Sequence, residues 1–201
     1  TACSFPKEKQ TGIDSILDES DLFPADPESA YGWSKLNGIL ELSYLREKTN
    51  ISCTTLVLHN VYGPNCDLDE RTAQVIPALA KKVLTNNELV VWGSGTQGRS
   101  FVFVQDIAYA FYLALIKDNL PSIIQIGSEV CYTIREIAEK LVAISGRDIS
   151  IRYDITKPEG DRGRCANIRL AMDVLGWSPS IDIDSGLKTT FDWIKRHIYE
   201  R

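Results

Sequence analysis

The sequence lacks the features of several common protein classes. Its 201 residues carry a formal net charge of −5, which gives no positive field to hold a polyanion such as DNA. No apolar run approaches the roughly 20 residues needed to cross a bilayer, and no charged-then-apolar leader opens the chain. We therefore expect a cytoplasmic protein that binds neither nucleic acid nor membrane.

Metal-site and disulfide patterns are missing as well. The five cysteines form no Cys-x-x-Cys pair, and only two histidines accompany them. This argues against a zinc site, and we predict no metal. An odd number of cysteines in a chain without a leader favours reduced thiols. We expect structural roles for all of them except Cys3.

A third missing feature is the strand, glycine-rich turn and helix with which a dinucleotide-binding half begins. The glycines cluster instead in GSGTQG at 93–98, between two strand-like runs and not before a helix. We interpret this segment as a turn on the substrate side, not as a cofactor motif.

What the sequence does contain is an alternation of short β-branched runs with longer amphipathic runs. This alternation is typical of an α/β protein with a largely parallel sheet. Asp26-Pro27 and Asp184 are predicted to begin the first and last helices, and Asp106 to cap the third. Helices are predicted at 28–48, 71–85, 105–117, 133–145, 168–175 and 184–199, and strands at 51–58, 88–92, 100–104, 121–126 and 149–153.

Tyr31 and Lys35, in the stretch YGWSK, stand four residues apart and so share one face of a helix. A tyrosine ordinarily has a pKa of roughly 10, so acting as a base near neutral pH requires a nearby positive charge. A lysine or an oxidised nicotinamide ring can supply that charge. The spacing alone is weak evidence, because most such pairs are an ordinary aromatic beside a solvated lysine.

The other motifs of the chain favour a catalytic Tyr31–Lys35 pair over an ordinary aromatic beside a solvated lysine. TACSFP, YGWSK, HNVYGP, VVWGSGTQGRSFVFVQDIA and LGWSP occur in this order. Together they resemble the extended short-chain dehydrogenase/reductase family of NAD-dependent nucleotide-sugar epimerases, dehydratases and reductases. Within it, the GDP-mannose 3,5-epimerase and GDP-fucose synthase branches share the Cys-x-x-Pro opening and the WGSGT and KPEG segments.

The resemblance implies the C-terminal part of a Rossmann-type doubly wound parallel sheet with a smaller α/β substrate-binding domain. Residues 1–62 and 99–125 would be the remainder of the NAD-binding domain, and 63–98 and 126–201 the sugar-nucleotide-binding domain. About 100 residues, with the glycine-rich turn, would precede them. The implied cofactor is NAD or NADP. The implied ligand is a nucleotide diphosphate sugar, with a GDP-sugar favoured, and the implied assembly is a homodimer.

In the resembled family, the catalytic set would be Thr1, Tyr31 and Lys35. Thr1 matches the hydroxyl that orients the sugar oxygen toward Tyr31, which takes its proton while hydride goes to the cofactor. Lys35 would favour the phenolate and hold the nicotinamide ribose. The alternative for Thr1 is a loop threonine that caps its own backbone.

Cys3 distinguishes branches of the family. Dehydratases and decarboxylases of the family carry acidic residues at the positions of Ala2 and Cys3. Without those residues the chain lacks the acid/base group that dehydration or decarboxylation requires. Once C4 is a ketone, a thiolate can remove the proton on C3 or C5, which is the role implied for Cys3. The alternative is a small buried hydrophobe. The GDP-mannose 3,5-epimerase and GDP-fucose synthase branches carry a His or Lys opposite the cysteine as proton donor. Gln74 occupies the matching position here, so the sequence does not identify the proton donor.

Several residues are candidates for the ligand's diphosphate and base. By resemblance, Asn60 in HNVYGP and Arg99 in GSGTQGRSF would contact the diphosphate, which a guanidinium fork suits. EGDRGR adds Arg162, which matches a substrate arginine, and Arg164. Trp92 would lie near the base. For any one arginine a solvated salt bridge is more common, and a strand tryptophan is more often core.

The implied function is therefore an NAD(P)-dependent nucleotide-sugar epimerase. It would oxidise the sugar at C4 through Tyr31 and Lys35 and epimerise next to the ketone through Cys3. The alternatives are a GDP-fucose synthase-like reductase, a simple 4-epimerase that leaves Cys3 idle, or a non-catalytic sugar-nucleotide-binding fragment.

Overall fold

Strands and helices alternate along the chain in the computed structural model, which describes residues 1–200. Short 3-10 helices cover Ala2–Ser4, Lys7–Gln10 and Glu19–Leu22. The α-helices are Ala30–Lys48 (α1), Val75–Thr85 (α2), Val104–Ile116 (α3), Ile134–Ser145 (α4), Arg169–Leu175 (α5) and Ile183–Tyr199 (α6). The strands are Ile16–Leu17 (β1), Thr55–Leu58 (β2), Asn60–Tyr62 (β3), Glu88–Trp92 (β4), Gly98–Phe103 (β5), Ile123–Ile126 (β6), Cys131–Thr133 (β7), Ser150–Asp154 (β8) and Gly163–Ala166 (β9).

Strand pairing is parallel almost throughout the described residues. The largest sheet has the order β1-β9-β5-β3, and β7 pairs with β5 in the antiparallel sense. β2 pairs with β6, and β4 with β8, both in parallel. Parallel neighbours require long crossover connections, which the helices provide. The predicted α/β class with a largely parallel sheet is confirmed.

The core consists of three clusters. One lies between α2, α4, α6 and strands β4 and β5, and a second between α3, α5 and β6. The third lies below α1 and holds the first residues of the chain against it. Its fully buried members include Phe5, Leu17, Leu22, Leu36 and Val57. This third cluster fixes the segment around Cys3 next to the beginning of α1.

All six predicted helices are present, but three beginnings were wrong. The N-cap of α1 is Ser29, not Asp26, and its hydroxyl accepts a hydrogen bond from Gly32 N at 3.1 Å. α2 begins at Val75, four residues later than predicted. α6 begins at Ile183, because the Asp182 carboxylate, not Asp184, accepts from the N–H of the first turn.

The strands that sequence analysis missed are β1, β3, β7 and β9, each of two to four residues. Such lengths are too short for a period of two residues to be recognised. The predicted strand 51–58 begins only at Thr55.

The expectation of reduced thiols throughout was wrong for one pair of cysteines. Cys131 and Cys165 form a disulfide, with Cα atoms 5.6 Å apart, a separation ordinary for such a bond. They lie in β7 and β9, which both pair with β5, and 34 positions separate them in sequence. Cys3, Cys53 and Cys66 are free.

Asp106 does not cap α3, whose N-cap is Phe103. Its buried carboxylate instead accepts hydrogen bonds from Ser180 Oγ at 2.6 Å and Ile181 N at 3.1 Å. Asp106 thus ties α3 to the loop before α6. We expect Asp106→Ala to lower the free energy of unfolding by about 1–3 kcal/mol, because a buried N–H loses its partner.

Urea denaturation measures this loss. The matched control is Asp173→Ala at an exposed position of α5, which should change stability by less than about 0.5 kcal/mol. Equal losses in the two variants would contradict the assigned role of Asp106.

Within residues 1–200, no helix combines the length and the apolar character needed to cross a bilayer. The same residues contain no group of three or more His, Cys, Asp or Glu side chains that could hold a metal ion.

Candidate functional site

A cavity of about 880 Å³ brings together most of the predicted site residues. This volume is in the range of small-molecule sites. Lys35 and Arg162 do not line the cavity. Lys35 follows Tyr31 by one turn of α1. The predicted residues that line the cavity are Thr1, Cys3, Tyr31, Asn60, Trp92 and Arg99.

Tyr31 stands in the first turn of α1, and its side chain is 55% exposed. Lys35 Nζ lies 5.6 Å from the centre of the Tyr31 ring. Gly32 allows the close approach of this helix to Cys3, because a Cβ at position 32 would overlap the Cys3 carbonyl oxygen. The phenol and the thiol are thereby held at one end of the cavity.

The same helix contains a second pair with the same spacing. Lys48 Nζ also lies 5.6 Å from the centre of the Tyr44 ring. Neither Tyr44 nor Lys48 lines the cavity. The position of the pair, and not its local geometry, therefore distinguishes Tyr31.

Cys3 lies beside an arginine that sequence analysis did not assign to it. Arg164 Nη1 donates a hydrogen bond to Cys3 Sγ at 3.1 Å, and Arg164 lines the cavity. Arg162, the predicted arginine, precedes β9 and donates its backbone N–H to Gln10 O at 3.0 Å. Thr1 Oγ1 accepts from Cys3 N at 3.5 Å, the local cap weighed above, while its side chain also borders the cavity.

Two carboxyl groups that sequence analysis missed hold Arg164 in place. Asp161 forms an ion pair with its guanidinium, and Glu28 Oε2 lies 3.8 Å from Nη2. Burial, and then a hydrogen bond with Asp161, raise the pKa of the Glu28 carboxyl. Asp161 is only three positions from Arg164, but Glu28 lies in a segment distant in sequence, so no local pattern could reveal that contact.

Arg99 and Asn60 lie side by side on β5 and β3. Asn60 Nδ2 donates to Ser100 O at 3.1 Å, and Arg99 Nη1 to Gly98 O at 2.7 Å. Burial, together with the positive charge of Arg164, lowers the pKa of Arg99 to about 10. Within the described residues Arg99 forms no salt bridge. A buried guanidinium without a carboxylate partner fits an anionic ligand.

We expect Arg99→Met to weaken the binding of a nucleoside diphosphate by about 10- to 100-fold, through loss of a charge-assisted hydrogen bond. Stability should stay the same or rise, because a desolvated charge is removed. Calorimetric titration and urea denaturation measure the two effects. Arg152→Met, which removes an exposed ion pair with Glu88, is the control and should leave affinity unchanged. Unaltered affinity in Arg99→Met would contradict a diphosphate site here.

The position opposite Cys3 holds no assigned proton donor. Gln74 is the N-cap of α2 and lines the cavity, as do Lys81 and Lys82 of the same helix. His59 also lines it, but the ring is buried and hydrogen-bonded through Nε2 to Gln125 Oε1 at 2.7 Å. Burial lowers the pKa of His59 to about 4. His59 is therefore neutral near pH 7 and has no imidazolium proton to donate.

The chain is similar to curated proteins that are named for GDP-sugars. Rice GDP-mannose 3,5-epimerase 1 (Oryza sativa subsp. indica) is 33% identical over 98% of this chain and 52% of its own length. GDP-L-fucose synthase 1 of Arabidopsis thaliana is 31% identical over the whole chain and 63% of its own length. The chain thus spans between about half and two thirds of the length of these relatives.

A solved structure shares the fold closely. UDP-glucuronic acid 4-epimerase of Bacillus cereus, crystallised with UDP-glucuronic acid and NAD, is 25% identical, with a TM-score of 0.83 over 96% of this chain and 60% of that one. This confirms the predicted Rossmann-type fold. The model of the NAD dependent epimerase/dehydratase family matches residues 1–127, which is more than half of the chain. The chain therefore belongs to the NAD dependent epimerase/dehydratase family.

Proposed function

We propose that this protein is an NAD(P)-dependent nucleotide-sugar epimerase that oxidises the sugar at C4 and exchanges a proton next to the resulting ketone. One observation supports this more than any other. The Tyr31 phenol, the Cys3 thiol and the Arg99 guanidinium line a single cavity. A base for a hydroxyl, a base for a carbon acid and a cation for a diphosphate are the groups that this chemistry requires.

The oxidation depends on Tyr31 and its neighbours. The phenolate takes the proton of the sugar hydroxyl, and the Thr1 hydroxyl holds the same oxygen in position. Lys35 Nζ lies 5.6 Å from the centre of the Tyr31 ring, on the same face of α1. Tyr31 and Lys35, both exposed, fit the nicotinamide end of a dinucleotide. When bound, the cofactor would supply the hydride acceptor.

The epimerisation depends on Cys3. A carbon next to a ketone is acidic, and the Cys3 sulfur takes its proton. Arg164, hydrogen-bonded to that sulfur at 3.1 Å, orients the side chain toward the cavity. The proton donor on the other sugar face is not among the residues assigned here.

The substrate follows from the other groups of the cavity and from the relatives. Arg99, Asn60 and Arg164 would bind the diphosphate, and Trp92 would lie near the base. The two curated relatives are named for GDP-sugars, so a GDP-sugar is the proposed substrate.

Two features of the assembly are proposed from family likeness. Residues 1–62 and 99–125 would belong to the NAD-binding domain, and the others to the substrate domain. The protein would form a homodimer through α1. This helix exposes Leu40, Tyr44 and Leu45, which a second copy could cover.

A simple 4-epimerase or a reductase is the second candidate, because Gln74 stands where a proton donor is expected and the Bacillus cereus structure is a 4-epimerase. Incubation with a GDP-sugar and NAD in deuterated water separates the candidates. The proposed enzyme incorporates deuterium at C3 or C5 of the sugar. A 4-epimerase turns over without incorporation. Binding without any turnover would support the non-catalytic alternative.

A further inference from the structure

One acidic side chain of the cavity, Glu159, has no part in the proposed reaction. Gly160 approaches Arg99, since a Cβ at position 160 would lie 3.8 Å from Arg99 Nη2. Glu159 itself lies against Gly93, the residue after Trp92. The side chain therefore lies between the proposed diphosphate site and the proposed site of the base.

The position of the Glu159 carboxylate is fixed through one of its oxygens. Oε1 accepts a hydrogen bond from Ser94 N, and Gln97 Nε2 donates to the Glu159 carbonyl at 3.3 Å. The 93–98 loop is itself held, because Gly93 N donates to Asp154 O and Arg135 N to Gly95 O, both at 2.8 Å. Within residues 1–200, Oε2 makes no hydrogen bond. A carboxylate has about four acceptor sites, so most of its capacity is available to a ligand.

Trp92 directly precedes Gly93, the residue that Glu159 contacts, and two ammonium groups lie near the Trp92 ring. Trp92 is 56% exposed at the cavity wall. Lys82 Nζ lies 5.8 Å and Lys157 Nζ 5.7 Å from the centre of a Trp92 ring. The cavity wall thus offers the apolar surface of Trp92, the acceptors of Glu159 and the Lys82 ammonium group, which also donates to Val90 O at 3.2 Å, while Lys157 lies near Trp92 outside the lining.

These groups match one nucleobase better than the others. Guanine presents two donors side by side, N1–H and the 2-amino group, next to the acceptor O6. A carboxylate accepts from both donors, and an ammonium group donates to O6. Uracil has one N–H between two carbonyl oxygens, which a carboxylate repels. Adenine presents an acceptor at N1.

Resting on the proposed function, we propose that Glu159 reads the N1–H and 2-amino donors of guanine and thereby selects a guanosine diphosphate sugar. Lys82 or Lys157 donates to O6, and the base lies against Trp92. The contacts that select the base then come from β4, α2 and the 157–161 loop.

Glu159→Gln is the test, because the amide keeps an acceptor for Ser94 N and replaces the other oxygen by a donor. Calorimetric titration with GDP, IDP and UDP is the measurement. We expect the wild type to bind GDP most tightly and IDP, which lacks the 2-amino group, more weakly. In Glu159→Gln the affinity for GDP should fall by about 10- to 100-fold, and that for UDP should change less than about threefold.

An unchanged ratio of GDP to UDP affinity in Glu159→Gln, with an unchanged thermal midpoint, would overturn the inference. Tighter binding of UDP than of GDP by the wild type would do the same. Failure of the proposed function looks different. In that case incubation of a GDP-sugar with NAD in deuterated water gives no turnover or no incorporation at C3 or C5, whereas a failure of Glu159 alone leaves turnover and incorporation intact and only the ratio of GDP to UDP affinity unchanged by Glu159→Gln.

Discussion

Tyr31→Phe is expected to lower kcat by about 10²- to 10⁴-fold while the affinity for the nucleotide sugar changes less than about threefold. The substitution removes only the phenolic oxygen, which takes the proton of the sugar hydroxyl. The ring stays, so the helix and the cavity wall keep their shape. Turnover of the nucleotide sugar and calorimetric titration measure the two quantities.

The helix itself supplies the matched control. Tyr44 and Lys48 repeat the spacing of Tyr31 and Lys35, with the same 5.6 Å between ammonium and ring. Tyr44→Phe should therefore leave turnover unchanged, because Tyr44 lies outside the cavity. Equal activity of Tyr31→Phe and the wild type would rule out the redox assignment, whatever the fold.

This internal duplicate shows how far local sequence can predict function. A spacing of four residues predicts a Tyr–Lys pair on one helical face, and α1 contains two such pairs. Which of them meets a cavity depends on the packing of the first residues under α1, where Phe5 and Leu36 are fully buried. From the sequence alone, Tyr31 could be distinguished from Tyr44 only because the order of the motifs resembles that of a known family.

The fold was predictable to a similar degree. Amphipathic runs predicted all six helices, and five of them span 11 to 19 residues, over which a period of 3.6 residues is well defined. Two- to four-residue strands such as β1 and β9 carry no such period. Competing caps also misled the prediction, since Asp26-Pro27 and Ser29 are both favourable at a helix start and only packing selects Ser29.

The residues of the site that sequence missed share one physical cause. Glu28 reaches Arg164, and Arg164 reaches Cys3, through contacts between segments distant in sequence. The disulfide between Cys131 and Cys165 likewise depends on strand pairing across β5. Spacing rules describe neighbours along the chain, so tertiary clusters of this kind lie beyond them.

Cys3→Ser is expected to separate the two halves of the reaction. A hydroxyl is a far weaker acid than a thiol, so serine cannot easily become the anion that removes a carbon-bound proton. Incorporation of solvent deuterium at C3 or C5 should fall by at least about 100-fold. Oxidation at C4 should continue, because Tyr31, Lys35 and Thr1 are untouched.

The readouts are deuterium content of the recovered nucleotide sugar and the absorbance of reduced nicotinamide under single turnover. Cys53→Ser, at a free thiol outside the cavity, is the control and should match the wild type in both. Loss of both signals in Cys3→Ser would mean that the thiol supports the site as a whole. Retention of both would mean that Cys3 packs as a small hydrophobe and that another group takes the carbon-bound proton.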